Sequence, residues 1–298
     1  MSFGTVPSAT LIACLESYVN PAVPIGTSLS TDATAPALHI IPSATLAKLK
    51  NVGPARVKDM RGLGHAKQVV SHVPIAASLA TCVRFNDALH VAIHLNAEKI
   101  VALALLPAEG RDAVKELQRC VTKMKFVGGV LATYQSTLAD TVLAPLASHV
   151  HTSHNASPLL ILHLYLSSAF DRHPNLRLIL AHPGVLPSLL PRIDTLLAHI
   201  PAADKPRRSF LDVWQHNFYL TTADVLDIST MRTFLEQIPI DRVLYASNYP
   251  LEERGKELME ELRNSGFLSP EEWQRVASGN AELLFGLKKS TVKTAGVK

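Results

Sequence analysis

FDRHPNLRLILAHPGVLPSLLPRID, residues Phe170–Asp194, reads as the end of a helix, a proline-marked turn, a short strand, a loop and a new helix. Pro174 stops the first helix, because proline lacks an N–H and disfavours helix in the residue before it. Leu176–Ala181 is an apolar run broken only by Arg177. That pattern predicts a parallel strand covered on both faces. His182 stands where the strand ends. In a (β/α)8 barrel the carboxyl ends of the strands build the active site, so His182 is the first candidate for acid/base chemistry.

Working outward, similar apolar runs recur with helical stretches between them. Thr10–Leu15 (TLIACL), Gln68–Val73 (QVVSHV), Lys99–Leu106 (KIVALALL) and Phe126–Ala132 (FVGGVLA) precede the quoted stretch. A short fifth strand is predicted near Ala147–Ser153. Asn217–Thr222 (NFYLTT) and Arg242–Ser247 (RVLYAS) follow. Between them, Arg56–Gly64, Thr81–His94, Arg111–Lys123 and Leu159–Phe170 read as helices, the third with Val114, Leu117 and Val121 at helical spacing. Strands alternating with helices predict an α/β fold, a (β/α)8 TIM barrel and not an open doubly wound sheet. The expected organisation is one domain over residues 1–298, with the barrel core at 10–286 and a frayed polar tail at 287–298. Asn20–Pro42, rich in Pro, Ser, Thr and Ala, reads as a long loop.

The bulk numbers exclude several classes. A chain of 298 residues with 47% hydrophobic and 18% charged residues can bury a large core. The net charge of +4 is small and unclustered, so no nucleic-acid partner is expected. No apolar run has the length of a membrane span, and the first residues lack the basic segment of a signal peptide. Cys14, Cys82 and Cys120 have no metal-like spacing and read as reduced, buried thiols. A cytoplasmic location is expected.

The frame F-D-R-x-P-x-L, followed by L-x-H-x-G, L-P and R-I-D, carries a resemblance. With Ser247-Asn248-Tyr249-Pro250 near the end, it is similar to the metal-dependent amidohydrolase-related decarboxylases. These act on aminocarboxymuconate semialdehyde, resorcylate, orsellinate and dihydroxybenzoate. The resemblance extends over about residues 10–286 and implies a barrel of the amidohydrolase type. It also implies a divalent ion held by strand ends: residues of the first strand, a histidine before F-D-R, a histidine ending the sixth strand, and an aspartate in the eighth-strand motif. On this chain those positions read Leu15 and Ser17, Leu160, His182 and Asn248. Hydrocarbon, hydroxyl and amide groups are poor replacements for carboxylates and imidazoles, so the expectation is that the Zn or Mn site is lost and no cofactor is bound. An amide also cannot act as general acid or base.

The expected catalytic group is His182, His72, His163 and Asn248. His163 lies one helical turn from Leu160, and His72 ends the second strand. Leu15, Ser17, Tyr134, His154, Leu160, Tyr219 and Thr221 are the expected substrate contacts. His149 and His151, which crowd the fifth strand beside His154, read as polar loop or hydrogen-bonded residues, with a new metal site formed by the three as the alternative. His65 reads as a surface or structural residue, and Glu16 as pointing away from the ligand positions. The expected function is a carboxy-lyase-type or related lyase step on a small aromatic or polyketide-derived molecule, without the usual metal. A metal-independent cyclase, isomerase or dehydratase of secondary metabolism, using His182 as acid/base, is the alternative. A non-catalytic pseudoenzyme is a further one. The habit of the relatives leaves a homodimer open.

Overall fold

The structure is a computed structural model and describes residues 10–24, 38, 41–73, 75, 77–107, 110–131, 158–181, 186–201, 204–252 and 255–287. Its strands are β1 (Leu11–Tyr18), β2 (His65–His72), β3 (Ile100–Ala102), β4 (Ala104–Leu106), β5 (Gly129–Leu131), β6 (Leu178–Leu180), β7 (Phe218–Thr221) and β8 (Val243–Leu244). Every ladder is parallel: β1 pairs with β2, β2 with β3, β4 with β5, and β7 with both β6 and β8. Helices fill each connection between described neighbours, as parallel pairing requires.

Isolated hydrogen bonds join these pieces into a barrel wall. Cys14 N donates to Tyr245 O (2.8 Å) and Ser17 N to Tyr249 O (3.0 Å), so β1 lies beside the chain leaving β8. Leu103 N donates to Val70 O (2.9 Å) and Ala104 N to Gly128 O (2.9 Å). Thus β3 and β4 are two halves of one barrel strand, handing over from β2 to β5 at Leu103. The predicted fifth strand, Ala147–Ser153, lies outside the described residues. The wall has the parallel strand–helix order of a (β/α)8 TIM barrel.

Local chemistry sets several helix starts. Ser78, Ser209, Asp227 and Ser269 each accept a backbone N–H from the first turn of the helix that follows. Ser269 and Glu272 form a reciprocal capping box.

Several boundaries differ from the sequence expectation. β1 continues past Leu15 to Tyr18, because Leu15 takes a left-handed conformation (φ 62°) and the ladder slips between Cys14 and Glu16. Such a β-bulge inserts an extra residue and changes which face the following side chains use. The expected helix Leu159–Phe170 is two, Pro158–Leu166 and Ala169–Arg172, divided at Ser168 (φ 57°). β6 has three residues, all half-buried, where a strand covered on both faces was expected.

Side-chain parity divides the core. Phe218 and Leu220 of β7 face the outer helices and pack with Phe170, Phe210, Trp214 and Met231. Tyr219 faces inward with Ile12, Cys14, Val69, Leu103 and Leu244. Cys14, Cys82 and Cys120 are buried and unpaired, as expected. Trp214 is fully buried, stacks on Phe218 at 5.1 Å between ring centroids, and donates Nε1–H to Gln237 O at 2.8 Å. Replacing Trp214 by Ala removes that contact and leaves a cavity. The expected loss is about 3–5 kcal/mol, read as a lowered urea midpoint.

Candidate active site

The carboxyl ends of β6, β7, β8 and β1 are tied to one another by side chains. Thr221 Oγ1 donates to Ala181 O, the carbonyl immediately before His182. Thr222 Oγ1 donates to Ala246 O (3.2 Å) and accepts from Ala246 N (3.0 Å). Past β8 the chain turns through Ser247-Asn248-Tyr249. Asn248 is left-handed (φ 59°), a conformation that asparagine tolerates better than most residues, and its Nδ2 donates to Ala223 O at 3.1 Å.

One carboxylate holds this turn. Glu16 is fully buried and accepts from Ser247 N (2.8 Å), Ser247 Oγ (3.1 Å) and Tyr249 N (2.6 Å). Burial pushes its pKa up to about 7, against the opposing pull of these donors and of the Arg56 charge. Gly255, which opens the next helix, lies against the same turn: a Cβ there would stand 2.9 Å from Ser247 Cα.

Behind the turn runs a buried polar chain. Arg56, on the outer helix Pro54–Gly62, donates Nε–H to Gln68 Oε1 (2.7 Å) and Nη1–H to Ser17 O (3.0 Å). Its guanidinium covers the Tyr249 ring at 4.7 Å, and Tyr249 donates its hydroxyl to Asp59 (2.8 Å). Gln68 Nε2 donates to His65 Nδ1 (3.0 Å), which leaves Nε2–H of His65 to donate to Tyr245 Oη (3.1 Å). Burial lowers the pKa of Arg56 to about 10 and that of His65 to about 4. Among the described residues, Arg56 Nη2 is the buried side-chain atom left without a hydrogen-bond partner.

The residues singled out in the sequence fall in different places. Leu15 packs towards the barrel interior and Asn248 follows β8 in a left-handed conformation, while Ser17, next to last in β1, has its carbonyl on Arg56. His72 is buried at the end of β2. Its Nδ1–H donates to Val73 O (2.7 Å) and its Nε2 accepts from Asn20 N (3.0 Å). It stacks on Phe85, and burial lowers its pKa to about 4. Both ring nitrogens are engaged by backbone groups. His163 is exposed on the helix Pro158–Leu166. Tyr219 faces inward as expected, but Arg242, before β8, donates to its hydroxyl, so it lies towards the amino end of the barrel, away from the mouth. Thr221 fastens β7 to β6. His182, Tyr134, His149, His151, His154 and the side chain of Leu160 lie outside the described residues.

The chain belongs to the amidohydrolase family, whose model matches residues 50–287. It is 26% identical over 283 residues to decarboxylase orsB of Emericella nidulans, covering 79% of this chain and 86% of that one. The structure of 2,6-dihydroxybenzoate decarboxylase complexed with 2,6-dihydroxybenzoate superposes with a TM-score of 0.72 at 21% identity, over 94% of this chain and all of that one. Dihydroxybenzoic acid decarboxylase from Polaromonas sp. JS666, solved with bound manganese and 2-nitroresorcinol, gives a TM-score of 0.72 at 23% identity, over 95% and 98%.

These relatives correct the expectation of no cofactor, since solved proteins of this fold carry manganese. The described residues do not by themselves fit that ion. No group of three or more His, Cys, Asp or Glu side chains comes together among them. Leu15 offers no donor atom, and Asn248 offers only an amide. Among the described residues, no helix is long and apolar enough to cross a membrane.

The buried groups set a pH dependence of stability. His65 and His72, with folded values of about 4, stabilise the fold fully above the ordinary imidazole value near 6.5 and lose that contribution as pH falls towards 4. Glu16 acts oppositely: its contribution is present at low pH and is lost as pH rises from about 4.5 through about 7. Two histidines outweigh one glutamate. Folding stability is expected to fall by about 1.4 kcal/mol per pH unit between about pH 6.5 and pH 5, measured by urea titration at each pH.

Proposed function

We propose that this chain is a carboxy-lyase acting on a small phenolic or polyketide-derived aromatic acid. The observation that carries the reading is the match to decarboxylase orsB over 283 residues, within a family match extending from residue 50 to 287. The F-D-R and N-Y-P frames that border the strand ends support it.

The reaction exchanges one bond for another at a ring carbon. The C–carboxylate bond breaks and leaves as CO2, while a proton arrives at the carbon and forms the C–H bond. In this reading His182, the residue that follows Ala181 in the sequence, is the proton donor. Asn248 cannot move a proton, but its amide can fix the orientation of the carboxylate or a neighbouring phenol. Leu15 supplies an apolar wall against the ring. Manganese in the fold relatives makes a divalent cation part of the proposal, where it would neutralise charge on the bound acid. His149, His151 and His154 supply the imidazoles from which its ligands would be drawn.

The test is to load the protein with manganese, incubate it with 2,6-dihydroxybenzoate, orsellinate and related phenolic acids, and follow acid loss by chromatography. Stoichiometric metal by elemental analysis and release of CO2 are expected. His182→Ala is expected to lower kcat by about 10²–10⁴-fold. Absence of turnover of every phenolic acid by the metal-loaded protein would overturn the reading.

A further inference from the structure

We propose that Glu16 is the positioning residue of the candidate site, its carboxylate setting the place from which Asn248 presents its amide at the barrel mouth. The role rests on the carboxy-lyase reading above.

The geometry has two parts. First, strict alternation along β1 would send Glu16 to the same face as Ile12 and Cys14, into the barrel. The bulge at Leu15 reverses this and turns Glu16 towards the turn after β8. Second, the turn meets it with hydrogen-bond donors. Ser247 N and Tyr249 N, the amides on either side of Asn248, converge on one carboxylate, with Ser247 Oγ as a third donor. Converging backbone N–H groups around a left-handed residue form a concave anion cradle. The residue between the two amides is held in its unusual backbone conformation, and its side chain reaches Ala223 O. The carboxylate's hydrogen bonds among the described residues all go to Ser247 and Tyr249. It acts through Asn248.

The test combines exchange and kinetics. In Glu16→Gln, hydrogen exchange of residues 245–252 is expected to quicken tenfold or more, with β2 and β7 unchanged. Decarboxylation by the manganese-loaded variant is expected to fall at least tenfold in kcat, with KM changed less than threefold. Asn248→Ala added to Glu16→Gln is expected to cost nothing further, because both changes remove one arrangement. Multiplying effects in this cycle, or unchanged exchange in 245–252, would overturn the proposal. Ser247→Ala removes a single donor and serves if Glu16→Gln does not fold. It is expected to move exchange in the same direction by about threefold, and unchanged exchange there would count against the clamp. If the wild type turns over no phenolic acid, the carboxy-lyase reading fails, while the exchange of 245–252 still decides whether Glu16 holds Asn248.

Discussion

A carboxylate sealed from water and ringed by N–H and O–H donors holds the seam where the barrel closes. Glu16 is fully buried, and β1 meets the chain leaving β8 through backbone bonds on either side of it. A buried charge without partners would be strongly destabilising, so its donors are obligatory. The turn Ser247–Tyr249 can satisfy them only in one shape. The left-handed residues Leu15 and Asn248, one on each side of the seam, are the backbone expression of that requirement. The electrostatic demand of one side chain thus shapes two segments far apart in sequence.

The polar chain behind it follows the same logic. Arg56 opposes the charge of Glu16, and Gln68 and His65 pass the hydrogen bonding on to Tyr245. Apolar packing elsewhere is non-directional and tolerates exchange of similar shapes. This chain is directional, and each member fixes the orientation of the next. The helix Pro54–Gly62, β1, β2 and the turn after β8 are therefore aligned by side-chain hydrogen bonds as well as by packing.

The barrel was legible in the sequence because its signals are local. Apolar runs such as Lys99–Leu106, punctuated by proline and glycine, mark buried parallel strands wherever they occur. The site was legible in part. Asn248 was singled out through the motif around it, whereas the contact of Tyr219 with Arg242 emerges only from the packing of β7 beside β8. The bulge was invisible, since nothing in the composition of Cys14-Leu15-Glu16 announces a left-handed leucine. His65 read as a surface or structural residue, and the structure settles it as structural. Its burial depends on Tyr245, which lies 180 positions away. The expected absence of a metal rested on counting ligand-like residues at four positions, and relatives crystallised with manganese correct it.

Arg56 sits on the outer layer, yet its guanidinium contacts the ring of Tyr249 and the carbonyl of Ser17. The periphery of this barrel is consequently wired to its opening. A helix that slides or tilts on the outside carries its arginine along, and the rim of the cavity shifts with it. Drift in substrate preference can then arise from changes in the packing of the helix Pro54–Gly62, without alteration of any residue that meets the substrate.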